Sequence, residues 1–356
     1  MLYIINPSKD ASLYNNSASM NAGLNEVLDV ADLLNVDGTF SINRALMKFD
    51  LSTLPTGSSV SGSRAFTLKL FATNPINMPA SYDIQISPVS QSWVMGLGTR
   101  WDTPQTTEGV SWNFKSGVTE NDYWVSSVSS SMNGGTWYSG SGQVVTQSFN
   151  YSTADLCVNV SSIVEQWFSG SSPLPNEGFI IKFTDAEESS SINYGDLKFF
   201  GKDTNTIYKP RLVLAYDDST WSGSIPVSGT LTAEDTSVYV KALRPVYHST
   251  EISTVRVIAR QRFPLKTFVV SASQYADFEY LPSSSYYAVK DAYSGEYIIP
   301  FDTKFTKLSA DGSGNFFTFN FGTLFVGRIY KFMFQTQIGG MVRTHDSDLI
   351  FRVIRG

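Results

Sequence analysis

Apolar and polar residues alternate with a period of two along most of the chain, the pattern of strands with one buried face. Ala45, Met47, Phe49 and Leu51 alternate with Leu46, Lys48 and Asp50, and Phe66, Leu68 and Leu70 with Thr67 and Lys69. The same rhythm runs through Tyr82-Ile84-Ile86, Leu156-Val158-Val160 and Leu212-Leu214-Tyr216. It resumes at Val238-Val240, Val255-Val257-Ala259, Phe317-Phe319-Phe321 and Tyr330-Phe332-Phe334. Turn clusters such as Leu54-Pro55-Thr56-Gly57 and Asn133-Gly134-Gly135 separate the runs. One short helix interrupts them. Ser162 and Glu165 have the spacing of a capping box, Ile163, Val164, Trp167 and Phe168 follow, and Gly170 supplies a stop.

The fold class expected is therefore all-β, in two domains. Residues 1–216 form the first, 217–230 read as a Ser- and Gly-containing linker, and 231–356 form the second. The short, frequently turned strands of the second part predict an immunoglobulin-like or fibronectin-III-like sandwich. Between Met95 and Ser148 the alternation loosens into Gly, Ser, Thr and Trp, which reads as a long excursion from the sheet carrying Trp101, Trp112, Trp124 and Trp137.

Composition narrows the function classes. Of 356 residues, 42% are apolar, enough for two cores, but only 16% are charged, so hydroxyls and amides must make the polar surface. Net charge is −6, and no Lys/Arg-rich run offers a surface for phosphates, so nucleic acid is a poor partner. Residues 1–216 hold 12 Lys/Arg against 19 Asp/Glu, and residues 217–356 hold 14 against 13. The acidity belongs to the first part. A single cysteine, Cys157, excludes an internal disulfide. No run approaches the length needed to cross a bilayer as a helix, and no membrane partner is expected. Met1 to Pro7 reads as a strand rather than an export signal. A surface-type composition without such a signal points to a particle released by lysis.

Candidate chemistry is sparse. His248 and His345 have no metal-site or nucleophile spacing around them, Cys157 sits in a strand, and the pairs Glu187-Glu188 and Asp346/Asp348 read as solvated turn charges. These features predict no catalytic residues, no cofactor and no enzyme. A structural calcium held by Asp10, Asp29 and Asp203 is the one metal candidate, although no contiguous acidic loop supports it. Trp101, Trp124 and Trp137 are candidates for a protein interface or a glycan contact, with burial as core anchors the plainer alternative. Arg256, Arg260 and Arg262, with Ile258, project from one strand face and form a candidate docking ladder.

Several segments carry a resemblance. Asp10-Ala11-Ser12-Leu13-Tyr14, the stretch from Asn43 to Pro55, Val110-Ser111-Trp112-Asn113, the stretch from Asn159 to Gly170, Asn176-Glu177-Gly178-Phe179-Ile180-Ile181 and Lys209-Pro210-Arg211-Leu212-Val213-Leu214 resemble, in order, the DNRLRE family of jelly-roll domains. Arg262-Phe263-Pro264, Leu281 to Tyr287, Ile298 to Asp302 and Tyr330-Lys331-Phe332 resemble C-terminal domains of virion proteins from marine contractile-tailed bacteriophages. The resemblance implies a jelly roll over residues 10–216 and a virion location. Its implied partners are other virion proteins of the neck, collar, tail or capsid, with several copies of this chain forming a homo-oligomer. A carbohydrate-binding module of a phage fibre or bacterial surface protein is the alternative.

Overall fold

The computed structural model describes residues 1–52, 54, 64–119, 122–124, 133–151, 155–168, 173–221, 231–263 and 279–356. The turn expected at Pro55-Thr56-Gly57, the helix stop at Gly170 and linker residues 222–230 lie outside the described residues. The chain is all-β and divides into two compact units. One comprises Ile5–Leu54 and Ala65–Val213, and the other comprises Met1–Ile4, Pro55–Arg64 and Leu214–Gly356. The opening residues thus group with the second unit, not with the expected 1–216 domain. Of the expected linker, Thr220 accepts a hydrogen bond from Ala310 N at 3.0 Å, and its own N–H donates to Ser309 Oγ at 3.1 Å.

In the first unit the larger sheet runs in the order Ala72–Ile76, Gly195–Phe200, Val27–Leu34, Phe40–Phe49, Phe179–Phe183, Ser81–Pro88, Val145–Asn150. Pro7–Tyr14 also pairs with Phe40–Phe49. In the same unit Arg64–Leu70 pairs antiparallel with Leu156–Asn159. The expected alternation appears on Arg64–Leu70, where Phe66, Leu68 and Leu70 are buried and Thr67 and Lys69 are not. Cys157 faces outward between buried Leu156 and Val158.

Phe40–Phe49 departs from that pattern, because Arg44, Ala45, Leu46 and Met47 are all buried. The cause lies in the Trp-bearing excursion. Trp93, Val110, Trp124 and Trp137 pack with Leu13, Leu46 and Ile180 in a second core on the sheet's other face. A strand covered on both sides loses its polar face, as strands of buried sheets do.

Two α-helices occur among the described residues, one more than expected, besides short 3-10 turns at Asn15–Ser17 and Phe321–Thr323. Ser161–Phe168 buries Ile163, Val164 and Trp167, and Trp167 packs on Phe179 with ring centroids 5.0 Å apart. Val160 occupies its N-cap, accepting from the N–H groups of Ile163 and Val164 at 3.0 Å, so Ser162 lies inside the helix and the expected Ser162–Glu165 capping box is displaced. A capping box does form at the second piece, Asp185–Glu188. The Thr184 side chain accepts from Glu187 N, and the Glu187 carboxylate accepts from Thr184 N at 3.0 Å.

The second unit is a sandwich of two sheets. One has the order Thr236–Lys241, Ile252–Gln261, Gly314–Asn320, Ser309–Asp311. The other has the order Val246–His248, Met341–Ile354, Ile329–Ile338, Ser285–Asp291, Tyr297–Ile299. Their inner faces meet through aromatic rings. Tyr287 stacks on Phe317 at 4.1 Å and Tyr247 on Phe321 at 3.8 Å, with Phe319, Phe332, Phe334 and Phe351 filling the layer between. Phe317, Phe319 and Phe321 point inward together, as do Tyr330, Phe332 and Phe334, matching the period read from the sequence.

Candidate binding cleft

The first unit carries a cleft of about 560 Å³ beside the loop that presents Trp101. Asn21, fully buried, fastens that loop. Its amide donates to Met95 O at 2.7 Å and Val110 O at 2.8 Å, and its side-chain oxygen accepts from Gly98 N at 2.8 Å. Gly96 sits against the same amide with φ +77, and a Cβ there would fall 2.3 Å from Asn21 Oδ1, so the approach requires glycine. A second set of bonds stiffens the tip. Asp102 accepts from Thr99 N at 2.8 Å, Thr99 Oγ1 at 2.7 Å and Thr106 Oγ1 at 2.7 Å, which holds its carboxyl below the usual range.

This scaffold places Arg100 and Trp101 at the cleft. Trp101 is 82% exposed. The Arg100 guanidinium lies 5.4 Å from the Trp101 ring centroid and 5.3 Å from that of Tyr14, and its backbone N–H donates to Asn25 Oδ1 at 3.0 Å. Beneath it, buried Asp29 accepts from the Tyr14 hydroxyl and lies 3.4 Å from Arg100 Nη1 and 3.8 Å from Lys198 Nζ. Lys198 also meets Asp196 at 3.2 Å, and burial followed by the Asp29 charge pushes the Asp196 carboxyl up to about 6. Burial, then the same Asp29 charge, raises Tyr14. Asn25, Glu26, Thr73 and Asn74 complete the polar lining.

The other two candidate tryptophans have a different role. Trp124 is 2% and Trp137 4% exposed, and the Trp124 indole donates to Ser111 O at 3.0 Å. Neither presents a ring to solvent, so the plainer reading as core anchors holds for both and a surface glycan contact does not. Trp137 lies over a buried charge cluster. The Arg44 guanidinium is 4.8 Å from the Trp112 ring and 5.1 Å from the Trp137 ring, and Lys182 Nζ is 5.1 Å from Trp137. Arg44 pairs with Glu188 through Nε at 3.0 Å and Nη2 at 2.7 Å, and fully buried Lys182 meets Glu188 at 2.9 Å.

Glu187 and Glu188 are therefore not solvated turn charges. The capping box at Thr184 folds their turn so that Glu188 meets two buried cations and Glu187 accepts from Asp83 N at 2.8 Å. Sequence reasoning missed this cluster, although Thr184-Asp185-Ala186-Glu187 carries the capping-box spacing that would have located it. Asp32 is fully buried beside these acids, with neither carboxyl oxygen hydrogen-bonded. Burial, then the charges of Glu188 and Glu187, push it up to about 7. Asp346, by contrast, is exposed and pairs with Lys331.

The three carboxylates considered for calcium are engaged otherwise. Asp29 holds Tyr14 and the two cations, Asp10 accepts from Lys202 N at 2.5 Å, and Asp203 pairs with Lys202 at 2.8 Å. Among the described residues no group of three or more His, Cys, Asp or Glu side chains is placed to hold a metal ion. His345 is buried and bonded to Thr336 Oγ1 at 2.9 Å, and His248 is exposed.

In the second unit Arg256 and Arg260 project from the outer face of Ile252–Gln261, opposite buried Val255, Val257 and Ala259. Arg256 is already forked onto Asp311 at 2.6 and 2.8 Å, and Arg260 lies over the Tyr239 ring at 5.5 Å. Arg262 is not part of the ladder. The strand ends at Gln261, and the Arg262 N–H donates to Asp235 O at 2.6 Å in the bend that follows.

No protein-family model matches the chain, and no curated protein does. Among solved structures, the adhesin domain of Epf from Streptococcus pyogenes is similar at 9% identity and a TM-score of 0.19, over 88% of this chain and 73% of that one. A likeness of that size carries no argument. Among the described residues no helix is long and apolar enough to cross a membrane.

Proposed function

We propose that the chain is a structural protein of a bacteriophage particle, a neck, collar or tail component that holds neighbouring subunits through its sandwich faces and loops. It acts by binding, not by catalysis. The observation that carries this reading is the Arg100–Trp101 pair. An almost fully exposed indole stands beside a stacked guanidinium, on a loop fixed by Asn21 and Asp102. Trp and Arg supply a large share of binding energy at protein interfaces, most of all when they are held in place before the partner arrives. The remaining tryptophans of the excursion are spent on fastening this platform to the sheet. The ordered resemblance to DNRLRE jelly rolls and phage C-terminal domains supports the particle location. In purified particles, Trp101→Ala is expected to reduce incorporation of the chain while its thermal unfolding is nearly unchanged, because that ring is exposed. Undiminished incorporation contradicts the reading.

A second reading rests on the cleft itself. Asn25, Thr73 and Asn74 line it next to the Trp101 face, which is the combination of amides, hydroxyls and an aromatic plane that suits a sugar ring. Glycan-array binding that disappears in Trp101→Ala favours this reading, and silent arrays remove it.

A further inference from the structure

The second unit has a cavity of about 450 Å³ lined by Asp291, Tyr293, Ser294, Arg328 and Arg352. Two arginines, Arg328 and Arg352, line it with one carboxylate, Asp291. Both carboxyl oxygens of Asp291 are engaged, Oδ1 accepting from Tyr293 N and Ser294 N at 2.9 Å and Oδ2 from Arg328 Nη1 at 2.8 Å. Arg352 makes no ion pair among the described residues, and its strand position is fixed by pairing with Val246 and Ile329 and by a 2.8 Å bond from its N–H to Pro245 O. Tyr293, 84% exposed, stands with the cavity as a free aromatic face.

We propose that this cavity is an anion-binding site that takes a carboxylate side chain from an acidic segment of another protein chain. Two guanidinium groups against one carboxylate leave a single net positive charge, which balances a monoanion. The fork of Arg352 matches a carboxylate's two oxygens. The space exceeds one carboxyl group and admits the flanking residues of a peptide, for which the Tyr293 ring offers apolar contact. The proposal concerns a different unit from the Trp101 cleft and stands or falls without the virion reading.

The test is a calorimetric titration of the full chain with N-acetylated, C-amidated triglutamate and, separately, with inorganic phosphate. Saturable triglutamate binding is expected to weaken about tenfold in Arg352→Gln and to a smaller extent in Tyr293→Ala, with no change in Arg260→Gln, an exposed arginine elsewhere in the same unit. Absence of saturation, equal binding by Arg352→Gln, or an equal loss in Arg260→Gln overturns the proposal. Tighter binding of phosphate than of triglutamate overturns the carboxylate assignment. Arg352→Lys, which keeps the charge but not the fork, is expected to retain part of the binding and guards against loss by misfolding.

Discussion

Arg44 and Glu188, 144 positions apart, meet in a two-pronged ion pair with each side chain only 7% exposed. Lys182, also buried, shares the same carboxylate. A carboxylate between two buried cations cannot be removed without leaving charge uncompensated, and such losses cost about 3–5 kcal/mol. Glu188→Gln is expected to destabilise the first unit by that amount in urea denaturation. The Arg44→Met/Glu188→Gln double variant should cost less than the sum of the singles, with a coupling of roughly 1–3 kcal/mol. Additive losses would mean that the pair does not interact as described.

The tryptophans separate into fastening and presenting residues. Trp124→Ala and Trp137→Ala are each expected to cost about 3–5 kcal/mol, because they empty a packed second core. Trp101→Ala should stay within about 0.5 kcal/mol of the parent, since its ring is exposed. Thermal or chemical unfolding of the three variants compares them directly. A large loss from Trp101→Ala would place that ring in the core and not at a binding surface.

Asn21 tests the scaffold of the cleft. Asn21→Ala leaves Met95 O, Val110 O and Gly98 N without their partner in a buried place. Each unsatisfied buried group costs about 1–3 kcal/mol. The variant is expected to lose stability in that range or above and to raise amide exchange in the residue 95–102 loop. Unchanged exchange there would show that the loop is held by other means.

The acid response should have opposite signs in the two units. Burial, foremost, pushes Asp10 and Asp32 up to about 7 and Asp196 up to about 6. A raised carboxyl binds protons in the folded state that the unfolded chain has released. Its stabilisation is full below the ordinary value of 3.8 and is lost as pH rises through 6–7. His345 is pushed the other way, from 6.5 down to about 4, by burial and then by Arg343 and Arg262. Its contribution is present above 6.5 and is lost as pH falls toward about 4. Hydrogen exchange, corrected for intrinsic rates, should therefore show Val27–Leu34 gaining protection and Met341–Ile354 losing it as pH drops from 6.5 to 4. Asp32→Asn should flatten the first trend and His345→Gln the second. Parallel changes in both strands would contradict the assignment.

The strands were legible because burial on one face imposes period two on the residues themselves, as at Phe66-Leu68-Leu70 and Phe317-Phe319-Phe321. Phe40–Phe49 was legible only in part. Its second buried face depends on a segment some 50–90 residues later, and no local pattern announces which side such an excursion will cover. A still longer separation, 144 positions, hid the partnership of Arg44 with Glu188, so two adjacent glutamates in a Ser-rich stretch read as solvated. The exposure of Trp101 and burial of Trp124 were likewise undecidable from composition, because both lie in the same loose, aromatic segment. What separates them is where Asn21 and Asp102 pin the loop.

The central proposal is that the Arg100–Trp101 platform fixes this chain to its neighbours in a phage particle. Quantitative mass spectrometry of particles purified from lysate measures this most directly, with the parent chain and Arg100→Ala/Trp101→Ala supplied in parallel. The account predicts a stoichiometric number of parent copies per particle and a clear reduction for the variant. Particles that contain neither form would contradict it.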